Sequence, residues 1–391
     1  MRDSKKYASR GVSADKSEVH EAIKHLDKGL YPLAFCKVLP DIVGGDTDFC
    51  NIMHADTAGT KTSLAYIYWK ETGDMSVWRG VTQDSIVMNL DDMGCVGCVT
   101  DIVLSSTIGR NKNLIPGEVL KEIIGYTQEF CELMYEHGVG VHLAGGETAD
   151  VGDIVRTIDI GFTTFARMRK DKLVVNDIQD GQVIVGLSSY GQSSYETEYN
   201  GGMGSNGLTS ARHDVLKPEY RTKYPESFDE HSPIELMYCG SKALTDKIVI
   251  DGVGDVAVGK LVLSPTRTYL PFLSKLLSSG IPIGGMIHCT GGAQTKVLKF
   301  IKNKKIIKRL DKPKAPLFDL LEKESGTDRK EMYQVFNMGH RLEIYCEEQY
   351  AQQVMDLASS FNIESAIVGH VEDADRNEVE ITDEKGTYTY H

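Results

Sequence analysis

Apolar positions along the chain follow two periods. Over 118–137 they recur every three to four residues, which predicts an amphipathic helix. The spans 81–93, 206–216, 267–279 and 348–360 read the same way, and Ser17 is placed to cap a short helix over 18–26. Runs rich in β-branched residues predict strands at 48–55, 98–105, 139–143, 156–166, 182–187, 284–290, 341–346 and 365–371. The order of strands and helices is loosely similar in the two halves, without a short internal repeat. The charged, irregular stretch 167–180 is the natural boundary, giving an N-terminal domain over 1–169 and a C-terminal domain over 170–391. The pattern is that of a two-domain α/β (α+β) protein. The polar stretch 218–260 has no clear period.

Composition narrows the function. Lys and Arg number 43 against 56 Asp and Glu, a net charge of −13. That balance disfavours nucleic acid and anionic membranes as partners, although a local pocket can still take a small anion. No apolar run approaches the roughly 18 residues that a membrane span needs. Residues 1–7 contain no apolar segment of the kind a secretory signal requires. The eight cysteines are scattered, and Cys95 and Cys98 lack the second pair a zinc knuckle would need. Reduced thiols in a cytoplasmic protein are the expectation.

Six features carry candidate chemistry. In His54-Ala55-Asp56-Thr57-Ala58-Gly59-Thr60-Lys61, a strand delivers Asp56 to a turn of small residues. Backbone N–H groups of such a turn can approach a phosphate, with Lys61 as counter-charge and Asp56 open to Mg²⁺; a plain strand end also accounts for these residues. Asp91 and Asp92 lie in an otherwise apolar helix, where adjacent carboxylates need a metal or a cation unless they face water. Gly145-Gly146-Glu147-Thr148-Ala149-Asp150 follows a predicted buried strand, where a turn could aim a carboxylate into a cleft. Gly204-Ser205-Asn206-Gly207 leads into a helix whose start could hold an anion or could simply be capped. Arg267 at the start of a predicted helix could grip a phosphate or pair with a carboxylate. The basic cluster Lys296, Lys299, Lys302, Lys304, Lys305, Lys308 and Arg309 reads as a solvated face or as a lure for a phosphorylated substrate.

Taken together, these segments resemble the phosphoribosylformylglycinamidine cyclo-ligase (aminoimidazole ribonucleotide synthetase) family. The resemblance runs in order along nearly the whole chain. The family's Thr-Asp-Gly-Val-Gly-Thr-Lys stands here as Ala55-Asp56-Thr57-Ala58-Gly59-Thr60-Lys61, and its Val-Asn-Asp-Leu as Leu90-Asp91-Asp92-Met93. Its Gly-Gly-Glu-Thr-Ala-Glu matches residues 145–150. Tyr7-Ala8-Ser9-Arg10-Gly11-Val12-Ser13, Ser188-Ser189 with Ser205-Asn206-Gly207, Leu263–Tyr269 and His288-Cys289-Thr290-Gly291-Gly292 fit further motifs. Met332-Tyr333-Gln334-Val335-Phe336-Asn337-Met338-Gly339 is close to the family's Met-Tyr-Arg-Thr-Phe-Asn-Met-Gly.

The resemblance implies a homodimer whose N-terminal sheets form a barrel across the interface, with ATP and Mg²⁺ at each of two sites. It implies ring closure of formylglycinamidine ribonucleotide, a phosphorylated ribonucleotide, with release of ADP and phosphate. Asp56, Asp92 and Asp91 would hold the metal. Thr57, Gly59, Thr60, Lys61, Gly145, Gly146, Ser205, Asn206 and Arg267 would bind ATP or phosphate, and Glu147, Thr148 and Lys61 would be catalytic. The chain also departs from the family. Leu30–Phe35 replaces a glycine-rich run, Asp91 replaces Asn, Gly204 replaces His, residues 192–203 are inserted, and residues 293–297 lack a Glu-Asn pair. Those changes leave open a divergent paralogue that phosphorylates another small acceptor, or a silent nucleotide-binding partner.

Overall fold

The structure is a computed structural model, and it describes residues 6–12, 17–310 and 315–391. Ser13 of the N-terminal motif lies outside the described residues. The first half runs α1 (Ser17–Ile23), β1 (Val38–Pro40), β2 (Phe49–Thr57), α2 (Lys61–Thr72), α3 (Ser76–Gly94), β3 (Ile102–Arg110), α4 (Gly117–Glu136), β4 (Val141–Asp150) and β5 (Ile158–Arg169). Its five strands form one sheet in the order β1-β2-β5-β3-β4. Along β5, Ile158, Ile160, Phe162, Thr164 and Ala166 are buried, the period of two expected of a sheet with one covered face. The helices cover that face. On the other face Met53 is 61% exposed and Val103 38% exposed.

The second half runs β6 (Val183–Ser188), α5 (Leu208–Val215), α6 (Glu219–Lys223), β7 (Lys247–Ile250), β8 (Gly254–Ala257), α7 (Val258–Val262), α8 (Leu270–Ser279), β9 (Gly285–His288), β10 (Lys304–Arg309), α9 (Pro316–Ser325), α10 (Arg329–Val335), β11 (His340–Cys346), α11 (Glu348–Ser360), β12 (Ser365–Asp373), β13 (Glu378–Asp383) and β14 (Gly386–Tyr390). Seven strands form a mixed sheet, β14-β13-β10-β12-β6-β11-β9, and β7 pairs with β8 as a hairpin. Every residue of β6 and β11 is buried, which accounts for the apolar run of β6; in β11 His340, Arg341 and Glu343 are buried with the apolar residues. Neither sheet closes on itself. No helix among the described residues is long and apolar enough to cross a membrane.

Several elements differ from the sequence expectation, each for a local reason. The expected strand at 139–143 does not end in a turn. β4 continues through Gly145 and Gly146 to Asp150, with a register shift against β3 between Leu104 and Ser106. At an edge strand such a bulge accepts glycine, and Gly145 has φ +95°. A Cβ on Gly146 would lie 2.0 Å from Ser106 Oγ, so close strand approach demands glycine there. The helix expected over 267–279 begins only at Leu270, with Pro271 in its first turn, and 264–269 is not helical. The strand expected at 98–105 spans Ile102–Arg110 instead.

Helix α3 is the pivot of the molecule. It packs on β2 and β5 on one side and on α8 of the second half on the other. Ideal Cβ atoms at Gly80 and Gly94 would meet Pro265 and Leu273 at 3.2 and 2.8 Å, so glycine permits both close approaches. Because both sides of α3 are covered, its polar residues Asp84, Asn89, Asp91 and Asp92 are buried with its apolar ones.

The N-terminal segment is tied to the second half by charge. Arg10, 4% exposed, donates to Asp214 Oδ2 and Oδ1 at 3.0 and 2.7 Å and to the Leu236 carbonyl. Arg10→Leu leaves Asp214 buried without this guanidinium, and about 3–5 kcal/mol of stability is expected to be lost. Urea unfolding measures it, and a loss below about 1 kcal/mol would exclude the latch.

Candidate functional site between the two halves

Two helix starts converge where the halves meet. β2 ends at Thr57, and the chain turns through Ala58 and Gly59, with φ +58° at Gly59, into α2. From the second half, Gly207 with φ +77° opens α5. A Cβ there would lie 2.5 Å from the Phe336 ring, which restricts this position to glycine. Thr60 Oγ1 and Thr209 Oγ1 are 3.0 Å apart, and Ser205 Oγ donates to the Ala58 carbonyl at 3.2 Å. The N-termini of α2 and α5 therefore bring unpaired N–H groups and two positive dipole ends to one place. Thr57, Gly59 and Thr60 are exposed there, and Ser205 and Asn206 are half-buried. Asp56 is half-buried at the strand end, and its Oδ1 accepts from the Thr57 N–H.

Lys61 sits beneath this turn, wholly buried. Its ammonium donates to Asp84 Oδ1 at 2.8 Å and to the carbonyls of Gly204 at 3.0 Å and Ser264 at 2.6 Å. All three protons thus serve protein acceptors, and none faces the open turn. Asp84 Oδ1 also accepts from the N–H and hydroxyl of Thr266. Burial lowers the Lys61 pKa and raises that of Asp84, each opposed by the other's charge.

The two adjacent aspartates of α3 point to different partners. Asp91 accepts from Thr268 Oγ1 at 2.7 Å and from the Tyr269 N–H, and burial pushes its pKa up to about 7. Asp92 accepts from His288 Nδ1 at 2.7 Å, and His54 Nε2 lies 3.4 Å from its second oxygen. Burial would raise its pKa, but His288 and His54 outweigh that and hold it below the ordinary value. His288 Nε2 accepts from Arg341 Nε at 3.1 Å, so the hydrogen bonds define its Nδ1–H tautomer. Arg341 also reaches the Arg267 carbonyl, while His54 Nδ1 bonds Asn89 Oδ1 at 3.0 Å.

Three other expected site residues stand elsewhere. Arg267 is 1% exposed, and its guanidinium grips Glu196 at 2.6 and 3.0 Å and donates to the carbonyls of Ser188 and Tyr190. Glu196 belongs to the inserted loop 192–203, which is also held by Tyr195 on the Thr268 carbonyl and Asn200 on the Pro265 carbonyl. Glu147 and Thr148 lie on edge strand β4, beside Gly145 and Gly146. The register Thr57–Gly161–Thr107–Glu147 places Glu147 on the same row as the turn after β2. Three strand spacings, roughly 14 Å, separate them.

Among the described residues, the only three-ligand convergence is Cys289, His340 and Glu343. Asp56, Asp91 and Asp92 do not meet at one point by that measure. The buried Lys308 ammonium already bonds Glu343, whose carboxylate also accepts from His340 and from Tyr345. Burial would raise the Glu343 pKa, but Lys308 and His340 hold it down to about 2. Lys308 supplies the positive charge that a metal would bring. Lys304 and Lys305 pair with Asp373, Glu378 and Glu380, so much of the basic cluster is structural; Lys296 instead turns to Thr290 Oγ1 at 3.2 Å.

Sequence reasoning did not single out His54, Asp84, Asn89, Thr209 or Arg341. The spacing of Asp84 and Asp91, two helical turns apart in an apolar helix, was the available signal. Nothing local could pair either with Thr266 or Thr268.

The molecule is a pair of open α/β units whose helix starts converge, a geometry that favours an anion. Residues 36–168 and 179–382 match the N- and C-terminal domain models described as AIR synthase related protein, so the chain belongs to that family. It is 26% identical over 338 residues to the phosphoribosylformylglycinamidine cyclo-ligase of Methanocaldococcus jannaschii, covering 84% of this chain and 79% of that one. In fold it is similar to a chain of a HypE–HypF complex, with a TM-score of 0.54 and 14% identity over 95% of this chain and 98% of that one. It is also similar to T. maritima PurL complexed with ADP, with a TM-score of 0.52 and 14% identity over 98% of this chain and 49% of that one.

The opposite environments of Asp91 and Asp92 give a paired test. With a folded pKa near 7 and an unfolded one near 4, Asp91 binds its proton more tightly when folded, so its contribution falls as pH rises between them. Asp91→Asn is expected to melt higher than the parent at pH 8 and alike at pH 5. Asp92→Asn is expected to melt lower at pH 8, by about 1.5–3 kcal/mol for a lost charge-assisted bond. Thermal melts at both pH values decide it, and a lower pH 8 melt for Asp91→Asn would overturn the assignment.

Proposed function

We propose that the protein is an ATP-dependent cyclo-ligase that closes the imidazole ring of formylglycinamidine ribonucleotide, releasing ADP and phosphate. The observation that carries this reading is the meeting of the α2 and α5 N-termini through Thr60, Thr209 and Ser205. Family membership and the M. jannaschii relative, named a cyclo-ligase, supply the reaction class. The PurL neighbour with ADP supports a nucleotide at this fold.

The chemical obstacle is that an amide oxygen is a poor leaving group. Transfer of the γ-phosphoryl group to that oxygen activates the carbon. The amidine nitrogen then attacks, and phosphate leaves as the ring closes. The protein's part in such transfer is positioning and charge neutralisation. Thr57, Gly59 and Thr60 line the turn that takes the phosphates, while Ser205 and Asn206 face them from the segment leading into α5. The half-buried Asp56 is a hard oxygen donor beside this turn and fits Mg²⁺, which would neutralise phosphate charge there. Lys61 acts through the protein, holding the turn against Gly204 and Ser264. Asp91 and Asp92 order the floor beneath. Arg267 acts through Glu196 and the inserted loop.

We also propose a homodimer formed on the open face of the first sheet, where Met53 and Val103 are exposed. A partner sheet there would bring Glu147, Thr148, Gly145 and Gly146 beside a phosphate turn, which one protomer leaves roughly 14 Å away. The eight free cysteines are consistent with a cytoplasmic setting.

Incubation with formylglycinamidine ribonucleotide and Mg²⁺-ATP is expected to yield aminoimidazole ribonucleotide and phosphate in equal amounts. Phosphate retained on the acceptor would show a kinase instead, and no substrate-dependent ADP would sink the proposal. Asp56→Asn is expected to raise the KM for Mg²⁺-ATP about tenfold, one charge-assisted contact's worth. Met53→Glu is expected to halve the mass by sedimentation; an unchanged mass would remove this face from the interface.

A further inference from the structure

The second half contains a cavity of about 760 Å³ that shares no lining residue with the cleft between the halves. Tyr190, Tyr333 and His340 bring aromatic rings to it, and Met338 and Met355 bring flexible thioethers. That size and lining suit a small organic ligand. Two polar groups narrow its chemistry. His340 is 8% exposed, and its Nε2 lies 2.9 Å from Glu343 Oε1, which leaves Nδ1 as the ring's remaining polar atom. Glu343 is paired with Lys308 and accepts the Nε2 proton, a bond that selects the ring tautomer with its lone pair at Nδ1. At the rim stands Arg309, exposed and without a carboxylate partner among the described residues. In the same strand Lys304, Lys305 and Lys308 all have carboxylate partners.

We propose that this cavity is a second ligand site, separate from the ATP cleft, for a heteroaromatic ring that carries an N–H donor and one anionic group. The ring stacks among Tyr190, Tyr333 and the two methionines. Its N–H donates to His340 Nδ1, and its anion pairs with Arg309. Asp356 and Glu364 also line the cavity and disfavour a more highly charged anion.

Three probes separate these contributions: indole-3-acetate, its 1-methyl derivative without the N–H, and neutral indole-3-acetamide. Each is titrated calorimetrically into the full chain with Mg²⁺-ATP in excess, so that the cleft is filled. Indole-3-acetate is expected to bind at least about tenfold more tightly than either of the others, the worth of one hydrogen bond or ion pair in a partly dry site. Arg309→Ala is expected to weaken indole-3-acetate about tenfold and leave the acetamide unchanged. Met355→Trp, which fills the cavity from α11, is expected to abolish binding of all three. Arg309→Ala is a surface change and keeps the test valid should Met355→Trp melt early. Absence of binding by every probe, or binding indifferent to Arg309→Ala, would overturn the proposal.

Discussion

The buried pair of Lys61 and Asp84 is the interaction on which the arrangement of the two halves depends. Lys61 is the first residue of α2 and Asp84 lies inside α3, so both belong to the first half. Their other partners, Gly204, Ser264 and Thr266, belong to the second. Neither charge could remain in an apolar interior alone. Each is tolerated because the other is present and because the second half adds hydrogen bonds, two carbonyls for Lys61 and the Thr266 N–H and hydroxyl for Asp84 Oδ1. Moving the halves apart would strand both charges, so the pair specifies one docking geometry. It also holds Gly204, and with it the turn into α5, against the end of β2.

Helix α3 extends this logic to the floor of the cleft. A helix covered on both sides has no solvent face on which to put its polar residues. Asp84, Asp91 and Asp92 must each find a partner within the protein, and they find different ones. The consequence is a division between neighbours: Asp91 leans toward its neutral form, while Asp92 keeps its charge through His288 and, behind it, Arg341. Hydrogen bonds running from Asp91 to Thr268 and from Asp92 through His288 to Arg341 stiffen this floor. The turn above it is shaped by its own bonds, Thr57 N–H to Asp56 and Gly59 N–H to Thr57 Oγ1.

Loop 192–203 shows how a neighbouring segment can fix the use of a charge. Glu196 of the loop closes on the Arg267 guanidinium, and that charge becomes part of the wall. The edge strand β4 shows the opposite case. Its Gly145, Gly146 and Glu147 are exposed and Thr148 is half-buried, as an edge strand with one unpaired side leaves them.

What the residues by themselves determined was local and periodic. The alternation of β5, the apolar run of β6 and the amphipathic period of α4 each follow from burial on one face or two. Motif order was enough to indicate the family. Sequence could not show where Lys61 and Arg267 direct their charge. A lysine after a glycine turn looks the same whether its ammonium meets phosphate or aspartate. That choice depends on Asp84, Gly204 and Ser264 in one case and Glu196 in the other, residues between 23 and 203 positions away for Lys61 and 71 for Arg267. Only tertiary structure decided it, because burial strips water from a charge and leaves whichever partner the fold has placed within reach.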